Sequence, residues 1–450
     1  NASNNFIGSV SVADLAGSGA ATGPVVITDA NTLTLGSVAT SGSLTLNAAT
    51  DLSLGATDAG TLTVNAGQNV VQSAPIEVAG AALFNVGGAL SLTNGANDFA
   101  GLVSVAGFGT ASAPGPISIA DANALSLGSV NTSGAASFTA SGDLHLGTLA
   151  AGAVTALAGN NLNLGTTTAS SLSATATAGD ISQLGPLSVS GASSFVAGDD
   201  IVLSNALNSF GGNVSLSGND ISITDRLGNL VLANVVATGN LSASSTSGEL
   251  QLVNAQVTGD TSVTGATGVV LGSVSAAGGV TASATTGDIS QTGPLQVAGT
   301  GSFNAPVGWV TLTDAGNDFA GVVNAQARQV SLVDLVGGLM LGDIVTHKID
   351  PFQILRNTSD SFDVSGDQRA AFAPNTAITF SQDVGAPQFT VQGSTVQSNE
   401  TRATVVTAQI PTGADPTVNP PLAGTFPGTP PTQVWRASDA NATGIISIIS

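Results

Sequence analysis

LTLGSVATSGSLTLNAATDLSLGATDAGTLTV, residues 33–64, decides the fold. It holds four short alternating pieces, Leu33-Thr34-Leu35, Leu44-Thr45-Leu46, Leu52-Ser53-Leu54 and Leu62-Thr63-Val64. Each is bounded by Gly, Asn, Asp or other small residues. Period-two alternation puts one side chain inward and the next outward along an extended strand. Leu, Val and Ile take the inward places, Thr and Ser the outward ones. Pieces of this kind recur roughly every ten residues down the chain.

A longer self-similarity overlies the short one. The pattern Asn-x-Phe-x-Gly-x-Val occurs four times, around Phe6, Phe99, Phe210 and Phe319, spaced by roughly a hundred residues. A second landmark precedes three of these copies: NVVQSAPIEVAGAALFNV from Asn69, DISQLGPLSVSGASSFVA from Asp180 and DISQTGPLQVAGTGSFNA from Asp288. These carry Phe84, Phe195 and Phe303. A third landmark follows, VVITDANTLTLGSV from Val25 and ISIADANALSLGSV from Ile117.

Short, evenly spaced strands suit a sandwich, a barrel, a propeller or a solenoid. Hairpin turns of the Asn-Gly or Asp-Gly kind are rare; Asn94-Gly95 is the only such pair. Outward positions are small and uniform, and repeats differ in length by whole segments, which a solenoid tolerates because each coil touches only its neighbours. The reading is therefore an all-β parallel β-helix over residues 1–345. Coils of roughly 20 residues predict about 16 or 17 turns and, at about 4.8 Å per rung, a rod near 80 Å long. The seven repeated Phe, namely Phe6, Phe84, Phe99, Phe195, Phe210, Phe303 and Phe319, are expected to fill its interior.

Composition agrees with strand. Of 450 residues, 8% are charged and 4% aromatic, with 57 Gly. Val, Thr and Ile outweigh the helix formers Lys, Glu and Arg. The net charge of −21 predicts repulsion of nucleic acid and anionic lipid. The chain has no Cys, which excludes disulfides, thiolate metal sites and Cys nucleophiles. No apolar run is long enough to span a bilayer, so no membrane insertion is expected. The start at Asn1, with neither Met nor a signal-like segment, reads as a mature or trimmed product.

Beyond about residue 345 the repeat stops. Five of the seven basic residues lie there, Lys348, Arg356, Arg369, Arg402 and Arg436. A capping or β module is expected over 346–410, and a Pro-rich extended arm ending in a strand over 411–450. Trp435, Arg436, Ile445, Ile446, Ile448 and Ile449 in that arm are the candidate subunit contacts, because an apolar strand-prone tail can add itself to a neighbour.

The phrases ISQTGPLQVAGTGSFNA, NDFAGLVSVAG and ISIADANALSLGSV resemble the repeats of bacterial exoproteins of the filamentous-haemagglutinin type, secreted by the two-partner pathway. The resemblance covers about residues 1–345. It implies a right-handed parallel β-helix at the surface of, or outside, a Gram-negative-type bacterium, with roles in adhesion or biofilm matrix.

Candidate chemistry is sparse. Asp199-Asp200 is the kind of carboxylate pair a glycosidase uses, but no Gly-His-Gly or Arg-x-Lys element accompanies it, and a turn is the better reading. His145 alternates with Leu144 and Leu146 and is expected to face outward; with His347 so distant, the two His make no metal site. Asp29/Asn31 and Asp121/Asn123 fit turn geometry better than calcium ligation. No enzyme, cofactor or metal is expected. The leading expectation is a structural protein that self-associates head to tail into a filament. The alternative is a monomeric adhesin stalk presenting a C-terminal module, with surface glycans of host or neighbouring cells as partners. A polysaccharide-active enzyme is a minor third.

Overall fold

In the computed structural model every regular element among the described residues is a strand. The structure describes residues 4–13, 19–109, 115–334 and 339–346, and beyond them the backbone of the strands 352–356, 362–364, 377–383, 388–391, 396–398, 405–409, 435–438 and 443–449. Parallel strands stack as a β-solenoid of about 16 turns in all. Contacts divide the chain into two units, Asn1–Asn219 and Asp220–Ser450.

In the first unit, one inward column runs through successive coils: Leu33, Leu52, Val70, Leu90, Ile117, Ala136, Val154, Leu172, Ser193 and Val214, each opposite the next in parallel register. Every member is buried. Each long apolar side chain contributes ~1.5–3 kcal/mol by leaving water. The expected alternation is plain in strands such as Leu90–Leu92 and Ala136–Ala140, whose Ser and Thr face outward. Asn94-Gly95 makes no hairpin. It lies in a bend closed by the Asn97 N–H on the Asn94 carbonyl at 3.2 Å, and parallel pairing continues past it.

The second unit repeats the plan. Ile221, Leu241, Thr261, Val280, Gly301, Val323 and Leu341 form one inward column. Leu230, Leu250, Val269, Ile289, Val310 and Val330 form another.

The parallel ladder outlasts the repeat. Phe352–Arg356 pairs parallel with Val322–Asp334, and Phe362–Val364 with Met340–Thr346, so the solenoid extends past residue 345, where the sequence reading ended it. Pairing needs only strand-forming residues, whereas the repeat was read from its Gly and Asx turn phrases. From Ala377 onward the pairing is antiparallel. Thr443–Ile449 lies between Phe352–Arg356 and Ala377–Asp383, and Trp435–Ser438 lies between Phe362–Val364 and Gln388–Val391. The Pro-rich stretch 411–433 and His347 fall outside the described residues.

Candidate functional site

Six of the seven predicted core rings are fully buried. They meet in three edge-to-face pairs: Phe84 with Phe99 at 6.4 Å, Phe195 with Phe210 at 6.1 Å, and Phe303 with Phe319 at 6.1 Å. Such pairs gain ~0.5–1.5 kcal/mol beyond area burial. Phe6 corrects the expectation: it is 39% exposed. In the other three copies the partner ring comes from the landmark upstream.

Beside each ring pair lies a buried carboxamide that sequence reading missed. Asn97, Asn208 and Asn317 are wholly buried. Each bonds a Gln one coil earlier, with Gln72 Nε2 at 2.8 Å from Asn97 Oδ1, Gln183 Nε2 at 2.9 Å from Asn208 Oδ1, and Gln291 Nε2 at 2.8 Å from Asn317 Oδ1. The same Oδ1 accepts the N–H of Ile76, Leu187 or Leu295. Each Nδ2 donates back to the Gln and to the carbonyl of Leu92, Leu203 or Leu312. A buried carboxamide is stable only when so satisfied. The signal was present in the sequence: Gln and Asn stand 25, 25 and 26 residues apart, a near-constant spacing.

The Asp-Ala-Asn pairs are turns, as expected. Asp29 Oδ1 accepts the Asn31 N–H at 2.8 Å, and Asp121 Oδ1 accepts the Asn123 N–H at 2.7 Å. The second oxygens accept the N–H of Phe6 and of Phe99, both at 2.8 Å. Burial pushes the Asp121 carboxyl above its ordinary value, against the pull of the Asn123 and Phe99 N–H groups.

Asp199 and Asp200 sit in a turn, where strand alternation does not separate them. With Asp180 they bring carboxylate oxygens within 4.8 Å of one another. Asp180 and Asp200 belong to a column of Asx residues that cap successive coils: the Asn161 N–H donates to Asp143 Oδ1 at 3.0 Å, Asp180 N–H to Asn161 Oδ1 at 3.1 Å, and Asp200 N–H to Asp180 Oδ1 at 3.1 Å. In the second unit Asp220, Asn240 and Asp260 do the same for Asn240, Asp260 and Gly279. His145 is half-buried on an outer face, in register with Ser126 and Asn163, as its alternation predicts. A groove of about 270 Å³ carries Asp58, Glu77 and Asp98, successive rungs of one outward column.

The C-terminal candidates lie on strands paired within the chain. Trp435 and Arg436 lie on a strand paired along both edges within the chain, and so do Ile445, Ile446 and Ile448. Ile449 pairs with Ala377. A strand whose two edges are satisfied at home has no free backbone edge of its own to offer a neighbour.

Residues 43–106, 151–217 and 258–326 each match a family model described as repeats of unknown function (DUF5649). No curated protein and no solved structure is found to match the chain. Each matched stretch encloses one complete Gln–Asn staple with its pair of rings.

Proposed function

We propose that the chain is an extracellular structural protein of a bacterium, a stapled β-solenoid stalk that carries a C-terminal antiparallel module, with neither catalytic role nor cofactor. The resemblance to repeats of two-partner-secreted exoproteins supports the location, and surface glycans of other cells are partners such a stalk would meet. One observation carries the reading: the interior polar groups of Asn97, Asn208 and Asn317 are spent on holding coil to coil. A second favours a stalk over a filament built through the tail, namely the pairing of Thr443–Ile449 along Phe352–Arg356. That strand covers the edge through which a filament would otherwise grow.

Sedimentation velocity of the purified full chain tests the choice. A monomer at about 100 μM is expected, well above the micromolar range in which a committed filament assembles. Deleting residues 443–450 should uncover the Phe352–Arg356 edge and promote association. Polymers formed by the full chain, and lost on that deletion, would restore the filament reading. Self-association at the other end has its own support: Ile7 is 98% and Val26 66% exposed. Polymers abolished by Ile7→Asp with Val26→Asp would assign it there.

A further inference from the structure

The outer face of the second unit carries an open groove of about 490 Å³. Four strands form it: Leu230–Ala237, Glu249–Val257, Gly268–Ala276 and Leu295–Val297. Parallel register sets Val236, Gln256, Ser275 and Gln296 in one outward column. Asn254 and Ser273 stand side by side in the next. All of these side chains are exposed. Ser275 is a short rung between two long ones, which leaves the groove its depth.

The chemistry of the lining is narrow. Carboxamides and hydroxyls line the groove, together with aliphatic Val and Ala, and no ionisable or aromatic side chain does. The side chains of Gln256, Gln296, Ser273 and Ser275 have no hydrogen-bond partner among the described residues. Gln72, Gln183 and Gln291, by contrast, are fully committed to the staples. The backbone beneath is spent too, since its N–H and C=O groups run in the parallel ladder. A peptide strand therefore finds no edge to join, and a ligand must be read by side chains alone.

We propose that this groove binds a neutral oligosaccharide chain. A carboxamide both donates and accepts, as a sugar hydroxyl does. The column repeats at about 4.8 Å, so a linear chain laid along it meets amide and hydroxyl groups in series. No cation is present to hold a uronate, sulfate or phosphate, and the field of the whole chain repels them. With no aromatic platform, the affinity is weak, in the millimolar class, and gains from many copies on one surface. The site deepens the stalk reading and rests on it for the glycan partner, while its binding test is separate from the sedimentation test of monomer against filament.

Saturation-transfer NMR of the full chain tests this, with maltohexaose, cellohexaose and mannohexaose as neutral probes and trigalacturonate as the acidic one. At least one neutral probe should bind with a millimolar Kd that holds from about 0.1 M to about 0.5 M NaCl. Gln256→Ala with Gln296→Ala should weaken it about fivefold or more, and Ser275→Phe, which fills the short rung, should abolish it. Both changes lie on the outer face, and unchanged thermal melting confirms the fold. No neutral binding up to about 20 mM, binding that survives both variants, or tighter binding of trigalacturonate would overturn the proposal.

Discussion

Asn208 is wholly buried, and its whole hydrogen-bonding capacity is used. Its Oδ1 accepts from Gln183 and Leu187, and its Nδ2 donates to Gln183 and Leu203, all at 2.9 Å. Asn208→Ala strands the Leu187 N–H and the Leu203 carbonyl, and should cost ~2–4 kcal/mol, measured as a lowered urea midpoint with unchanged slope. Asp143 gives a residue-scale effect of pH. The Asn161 N–H first, then the Asn160 and Asn161 amides and the charge of His145, hold its carboxyl below the ordinary range. A depressed carboxyl adds stability above its unfolded value of about 3.9 and loses it as pH falls through the folded value. The stability difference between wild type and Asp143→Asn should therefore shrink as the solution is acidified, read by melting temperature across an acid series. A constant difference would detach the effect from titration. The rings were legible from sequence because Asn-x-Phe recurs with them. The Asn of the same motif was not read as core, since a buried carboxamide looks like any turn former until its partner on the neighbouring coil is known.

At the scale of the element, the corners constrain the sequence most. Gly147 sits beneath the neighbouring coil so closely that a Cβ built on it would lie 2.0 Å from the Gly128 carbonyl oxygen, and one built on Gly165 would lie 1.9 Å from that of Gly147. These are backbone contacts, which cannot swing aside as a side chain can. Gly147→Ala should cost ~2 kcal/mol or more, seen as a drop in melting temperature, whereas Ser137→Ala on an outward position should be close to neutral. A neutral Gly147→Ala would mean that the corner has more room than the register allows. Corner glycines were legible as punctuation in the Leu-Gly-Ser-Val phrases. Strand pairing near the C-terminus was not: Phe352–Arg356 continues the parallel ladder and Thr443–Ile449 turns back on it, yet neither belongs to a repeat whose spacing would set a register. The neutral groove was hidden for another reason: its outward residues Val236, Gln256, Ser275 and Gln296 recur at the length of a coil but not as one residue type.

For the whole molecule, stacking rather than local hairpin closure follows from one property of the chain. Its inward residues recur at the length of a coil, so each coil finds the same apolar column above and below it. That much is readable in residues 33–64 alone. The most direct test is the distance between equivalent residues on successive coils. Ser53, Val71 and Ser91 are outward neighbours in parallel register, and a chain without Cys accepts nitroxide labels only where Cys is introduced. Ser53→Cys with Val71→Cys places two labels on rungs about 4.8 Å apart, and Ser53→Cys with Ser91→Cys places them about 10 Å apart. Stacked coils predict strong dipolar broadening of the electron paramagnetic resonance spectrum for the first pair and weaker broadening for the second. An unbroadened spectrum for the Ser53/Val71 pair in folded protein would contradict the parallel solenoid.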